Sequence, residues 1–211
     1  MTQAAISQNR EGAPLPIAVL ISGSGRSLEN LARRIREGRL ACEISLVISS
    51  NPRAGGISRA RRFNLPVVIV DRSMCPDDAA FGRAVFDAVR RVGARMVVMA
   101  GFLKFLPIPE DFAGRVINIH PALLPHFGGR GMYGDRVHDA VLGSGAGESG
   151  CTVHFADNEY DHGPIILQKT CPVEPGDTAA TLAARVFALE LEALPEALAM
   201  LSKRQVGPGA G

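Results

Sequence analysis

Five short apolar runs constrain this chain most: residues 16–22, 44–50, 66–70, 96–101 and 116–120, each rich in β-branched side chains and closed off by Gly, Pro, Ser or Asn. Runs of that kind read as buried strands. Residues 27–38, 53–63 and 77–93 lie between them and read as helices long enough to cross back over a sheet. The repeat of strand, helix, strand from residue 16 therefore predicts right-handed βαβ units and an α/β fold with a doubly wound, mostly parallel sheet. Composition agrees, since apolar residues make up 46% of the chain and aromatics only 5%, which suits Val- and Ile-rich strands under Ala-rich helices. After His120 the pattern changes to a Pro- and Gly-rich segment, strand-like 151–156 and 165–171, and an Ala- and Leu-rich stretch over 178–202. That half is expected to be mixed α+β and to end in a long helix.

A chain of 211 residues suits one such domain, at ~100–200 residues per domain. It is placed at 14–203, with 1–13 and 204–211 expected as loose tails. The formal charge of +2 is too small for non-specific nucleic-acid binding. Arg33, Arg34, Arg36, Arg39, Arg59, Arg61 and Arg62 read as solvated helix faces. Cys42, Cys75, Cys151 and Cys171 show neither a C-x-x-C spacing nor a cluster with histidines, so they read as reduced packing residues and no metal is expected. No run reaches the ~18 apolar residues of a membrane helix and the first 13 residues lack a signal-peptide core, so no membrane partner and a cytoplasmic location are expected.

The first strand runs straight into Gly23-Ser24-Gly25-Arg26-Ser27 and then a helix. Such a turn presents backbone N–H groups and a helix N-terminus to an anion, so it is either a phosphate site or a tight turn with no ligand. A dinucleotide is disfavoured, because Leu28 stands where a third glycine is needed and the second strand ends Ser49-Ser50-Asn51 rather than in an acid. The lysine of a P-loop is absent too.

Asn118 and His120 are two apart on a strand, so their side chains share a face at its carboxyl end, where open α/β sheets bind ligands. A carboxamide beside an imidazole suits acyl transfer to an amine, offering donors to an oxyanion and a group that carries a proton near neutral pH. Taken alone, such a pair at a strand end is more often a hydrogen-bonded core or turn feature. Asp161 precedes a glycine and a strand; it either orients His120 or forms an Asx turn.

The segments AVLISGSG (18–25), INIHPALLP (117–125), GCTVHF (150–155), DHGPIILQ (161–168) and PVEPGDT (172–178) together resemble the folate-dependent phosphoribosylglycinamide formyltransferase family, over roughly residues 16–202. The resemblance implies formyl transfer from 10-formyltetrahydrofolate, as co-substrate, to the amino group of glycinamide ribonucleotide in purine synthesis. It implies catalytic roles for Asn118, His120 and Asp161, with protonated His120 and Asn118 on the oxyanion and Asp161 raising the basicity of His120. The ribonucleotide phosphate falls on Gly25, Arg26 and Ser27, where the family commonly reads Gly-Ser-Asn. Ser27 is expected to cap the helix, and Arg26 to reach phosphate or solvent. Glu190 matches an acid that engages the acceptor; otherwise it is a charge on an exposed helix face. Folate binding falls on Leu103, Lys104, Phe105, Leu106, Asn118, Asn158, Glu159 and Tyr160. Asp78 stands where some members have an arginine for the folate tail.

By the same resemblance, 16–120 supplies the phosphate-binding units and 121–203 the folate site, with a lid over 126–134. A monomer or homodimer is expected. The tRNA formyltransferase and the formyltetrahydrofolate hydrolase are disfavoured by length, while a sugar-nucleotide N-formyltransferase and a non-catalytic folate- or nucleotide-binding module are the remaining alternatives.

Overall fold

The expected alternation is present in the computed structural model, which describes residues 13–204. Strands β1 (Leu15–Ile21), β2 (Cys42–Ser49), β3 (Val67–Ile69), β4 (Met96–Met99) and β5 (Val116–His120) are parallel, with helices α1 (Arg26–Arg36), α2 (Gly55–Arg62) and α3 (Asp78–Arg91) in the first three connections. Then come α4 (Asp135–Gly143), β6 (Glu148–Phe155), β7 (Ile165–Pro172) and α5 (Ala179–Arg204). Strand order is β3-β2-β1-β4-β5-β6-β7. The second half is thus not a separate layer: β6 adds to β5 and β7 to β6, both antiparallel, and extend the same sheet.

β1 shows why the apolar runs are unbroken rather than alternating: both faces of the sheet are covered. Ile17, Val19 and Ile21 pack with Leu28, Leu31, Leu182 and Leu198 of α1 and α5 on one face. Ala18 and Leu20, pointing the other way, pack with Phe81, Val85, Phe86 and Val89 of α3. Helix α3 starts where Asp77 accepts the Ala80 N–H at 2.6 Å. The cysteines are packing residues as expected: Cys42, Cys151 and Cys171 are buried, and burial pushes the Cys42 and Cys151 thiols up to about 12. Among the described residues no helix is long and apolar enough to cross a membrane.

One element was hidden in the sequence. The glycines between 128 and 134 mask the start of α4, whose Val137 and Val141 pack into the core and whose His138 is also buried. Of the tails expected at 1–13 and 204–211, all but Ala13 and Arg204 lie outside the described residues.

The strand order turns over between β1 and β4, whose connections run to opposite sides, and this opens a cleft at the carboxyl ends of β1, β4 and β5.

Candidate active site

That cleft holds a cavity of about 410 Å³, walled by the glycine turn, residues 99–106, the end of β5, residues 129 and 131–135, residues 156–157 and 159–161, His138 and one side of α5.

At one end stands the turn Gly23–Ser27. Ser22 Oγ meets Ser50 Oγ at 2.7 Å and accepts the Leu103 N–H at 2.9 Å, which ties β1 to the next cavity wall. Gly25 is the residue before α1 and has φ 74, and a Cβ there would come within 2.4 Å of Gly56 Cα. Only glycine meets both conditions. From α2, Arg59 Nε donates to the Ser24 carbonyl at 2.9 Å and Gly56 N–H to the Gly23 carbonyl at 3.0 Å, so α2 holds the turn in place. Arg59 is therefore a brace on the turn and an ion-pair partner of Glu29, not merely a solvated charge.

Two expectations at this end change. Ser27 is the second residue of α1 rather than its cap, and no side chain caps the helix. Glu190 does not lie on an exposed face: it lines the cavity, and burial pushes its carboxyl up to about 7 against the opposing pull of Arg26. Arg26 is exposed, yet its guanidinium lies 3.9 Å over the Phe187 ring on the cavity wall, so it is held at the cavity mouth.

At the other end, β5 presents Asn118 and His120. The antiparallel register places Asn118 opposite His154 of β6, and Asn118 Nδ2 lies 3.2 Å from His154 Nε2. Asn118 Nδ2 also donates to Asp161 Oδ1 at 3.3 Å. Asp161 Oδ2 accepts the Gly129 N–H at 3.0 Å and lies 3.4 Å from His120 Nδ1. The Asx-turn reading of Asp161 fails, because its carboxylate is spent on partners far away in sequence while its backbone turns at φ 53. His120 Nε2 faces the Phe127 carbonyl at 2.8 Å, and His154 Nδ1 the Phe155 carbonyl at 2.9 Å.

Opposing electrostatic effects meet at His120 and Asp161. Burial dominates at His120 and lowers its pKa, although Asp161 and the Phe127 carbonyl pull upward. Both ring nitrogens face oxygen acceptors, the Phe127 carbonyl and Asp161 Oδ2. Burial also pushes Asp161 up, but its contact with His154, the His120 charge and the Gly129 N–H together hold it below the ordinary carboxylate value.

Leu103, Lys104, Phe105, Leu106, Glu159 and Tyr160 all line the cavity, with the Phe105 and Tyr160 rings 5.1 Å apart. Asn158 does not: its side chain accepts the Ile108 N–H at 2.7 Å and donates to the Ile108 carbonyl at 3.2 Å, clamping two cavity loops together. Asp78 pairs with Arg72 at 2.6 Å in the first turn of α3, away from the cavity wall. Among the described residues no group of His, Cys, Asp or Glu is placed to hold a metal ion.

Sequence reasoning missed His154 and Thr152. Thr152 Oγ1 accepts the Leu124 N–H at 3.0 Å and donates to the Ala122 carbonyl at 2.7 Å, and Gln168 donates to both Leu124 O and Thr152 Oγ1. These bonds fix the Pro-Ala-Leu-Leu-Pro segment behind His120. The only available signal was the alternation in GCTVHF, which puts Thr152 and His154 on one face of β6.

An open-sheet α/β fold with a carboxamide, imidazole and carboxylate cluster at the strand ends, facing a glycine turn across a cavity, defines the class as a group-transfer enzyme. Within it, the chain belongs to the formyl transferase family, whose model matches residues 15–198. It is 35% identical over 193 residues to the chloroplastic phosphoribosylglycinamide formyltransferase of Arabidopsis thaliana, covering 90% of this chain and 66% of that protein. The phosphoribosylglycinamide formyltransferase of Haemophilus influenzae is 33% identical over 181 residues, covering 85% of this chain and 83% of that one. The crystal structure of glycinamide ribonucleotide transformylase 1 from Symbiobacterium toebii superposes with a TM-score of 0.86 at 35% identity, covering 94% of this chain and 93% of that chain. The chain thus spans slightly less than two thirds of the length of the plant relatives, at 66% and 62%, and most of the length of the bacterial ones.

Proposed function

We propose that this protein transfers the formyl group of 10-formyltetrahydrofolate to the amino group of glycinamide ribonucleotide, giving formylglycinamide ribonucleotide and tetrahydrofolate in purine biosynthesis in the cytoplasm. The observation that carries the reading is a single cavity with Asn118, His120 and Asp161 at one end and the Gly25-Arg26-Ser27 turn with Glu190 at the other. A single domain over 14–203 does the work. The acceptor phosphate sits on the turn, where the N–H groups at the start of α1 and the Arg26 guanidinium face it. Glu190 receives the ribose or amine of the acceptor. The folate ring lies against Leu103, Lys104, Phe105, Leu106, Glu159 and Tyr160, partly on backbone groups, and residues 126–134 close over it as a lid. Asn158 serves that site by shaping it.

In the reaction the acceptor nitrogen attacks the formyl carbon and the carbonyl oxygen becomes an oxyanion beside Asn118 and His120. The growing negative charge beside His120 favours the imidazolium, with Asp161 across from it to balance the charge. The proton released by the attacking nitrogen passes to the His120–Asp161 pair and, through a water, to the folate nitrogen as its bond to the formyl carbon breaks.

The test mixes the protein with 10-formyltetrahydrofolate and glycinamide ribonucleotide and follows deformylated folate by absorbance, with water as sole acceptor in parallel. Acceptor-dependent turnover that His120→Ala abolishes is expected. Turnover in water alone indicates a hydrolase; transfer only to a sugar-nucleotide amine indicates that acceptor instead; folate binding without any turnover indicates a binding module.

A further inference from the structure

Three imidazoles lie at the reaction end of the cavity, and two of them are fully engaged. His120 faces the Phe127 carbonyl with one nitrogen and Asp161 with the other; His154 faces the Phe155 carbonyl and the Asn118 amide. Asn118 Nδ2 in turn points at both His154 Nε2 and Asp161 Oδ1. Asn118, His120 and His154 therefore share their donors with protein partners, so an oxyanion beside them has to compete for those donors. His138, on α4, is different. Its side chain is only 4% exposed, it lines the same cavity, and its Nδ1 is buried with no hydrogen-bond partner. An unmatched polar atom of this kind is rare in a folded protein.

The missing partner fixes the tautomer. A proton on Nδ1 would be a buried N–H with no acceptor, so the ring carries it on Nε2 instead. Burial lowers the pKa of His138, against the pull of Asp135 and Asp139, and the ring is near enough to His120 for their charges to oppose each other. It is thus a neutral imidazole with one N–H to offer, on a ring that borders the cavity.

We propose that His138 is a further catalytic residue of the formyl-transfer centre, whose Nε2–H donates a hydrogen bond to the formyl oxygen as that oxygen becomes an oxyanion. This rests on the formyl-transfer reading above. Helix α4 is set by Val141 in the core cluster and by the buried Val137, so the donor is held by packing rather than by a hydrogen bond to the protein.

The experiment compares kcat and both KM values for the wild type, H138L and H138Q, with thermal unfolding of each. H138L fills the space without a donor, and the amide of H138Q reaches the position of Nε2. The expected result is a kcat about 100-fold lower in H138L with KM unchanged, most of the rate restored in H138Q, and no loss of folding stability in either. If H138L does not fold, H138N takes its place, since its amide is a methylene short of the Nε2 position. Equal kcat in wild type and H138L, a change confined to KM, or no rescue by glutamine over leucine or asparagine overturns the proposal. A wild type that transfers no formyl group to the acceptor overturns the functional reading, and this proposal with it; a wild type that turns over beside an unimpaired H138L overturns only the role of His138.

Discussion

The two ends of the cavity are built on opposite plans. At the reaction end Asn118, His154, Asp161, His120 and the Gly129 N–H hold one another, so the centre has its geometry before any ligand arrives. At the turn end the backbone is fixed by Gly56 and Arg59, but the side chains are not: Arg26 rests on an aromatic ring, and Glu190 is buried enough for its carboxyl to rise to about 7. Chemistry depends on groups that need not move as charge develops, whereas recognition leaves charges to be matched by the ligand. Changes at the first end should thus act on kcat, and changes at the second on KM and pH dependence.

The largest effect is expected at Asp161. Asp161→Asn removes the charge that faces His120 and weakens the acceptor for Asn118 and Gly129, so kcat should fall about 100- to 1000-fold while cooperative unfolding is kept. Asn118→Ala and His120→Ala belong in the same range, and near-normal turnover in any of the three removes that residue from the centre. Next comes His154→Phe, which leaves the Asn118 amide with one orienting partner instead of two. A kcat roughly 10-fold lower at constant KM is expected, about the weight of one hydrogen bond. A KM effect instead would erase the division between the two ends.

Arg26→Ala should raise KM for the phosphorylated acceptor about fivefold and leave kcat alone, a modest change because the guanidinium is exposed and screened. The unphosphorylated riboside should be used equally well by both proteins, and the difference should shrink with added salt. The smallest effect concerns Glu190. Its folded pKa of about 7 lies above the ~4.3 of an unfolded chain, so the protonated form favours folding below that lower value and the contribution is lost as pH rises through 7. Glu190→Gln should therefore melt several degrees higher than the wild type at pH 8 and match it at pH 4. Equal melting temperatures at both pH values would show that the carboxylate is not desolvated.

Asn118 and His120 could be read from sequence because a strand alternates faces, so two residues apart means the same side. The parallel sheet was legible for a similar reason: unbroken Val- and Ile-rich runs between helix-length segments have few other ways to be buried. Helix α4 was not legible, since glycines dominate the segment before it and its buried positions become apparent only against α5 and the sheet. The resemblance places 158–160 at the folate through backbone groups, and sequence cannot foresee that the Asn158 side chain is spent on the backbone of a loop 50 residues away. Glu190 looked like either a ligand group or a surface charge, and only its place on the cavity wall excludes the exposed face.

By itself, then, the sequence determined the local periodicities: which runs are strands, which stretches cross over, which residues sit at a strand's carboxyl end, and that a glycine turn follows the first strand. Tertiary structure alone decided the partners. The antiparallel addition of β6 set Asn118 against His154, the turn before β7 carried Asp161 under His120, and α4 brought His138 to the cavity. Periodicity follows from the backbone within a few residues. Pairing across 30 or 40 residues follows from register and packing, which no local stretch of chain contains.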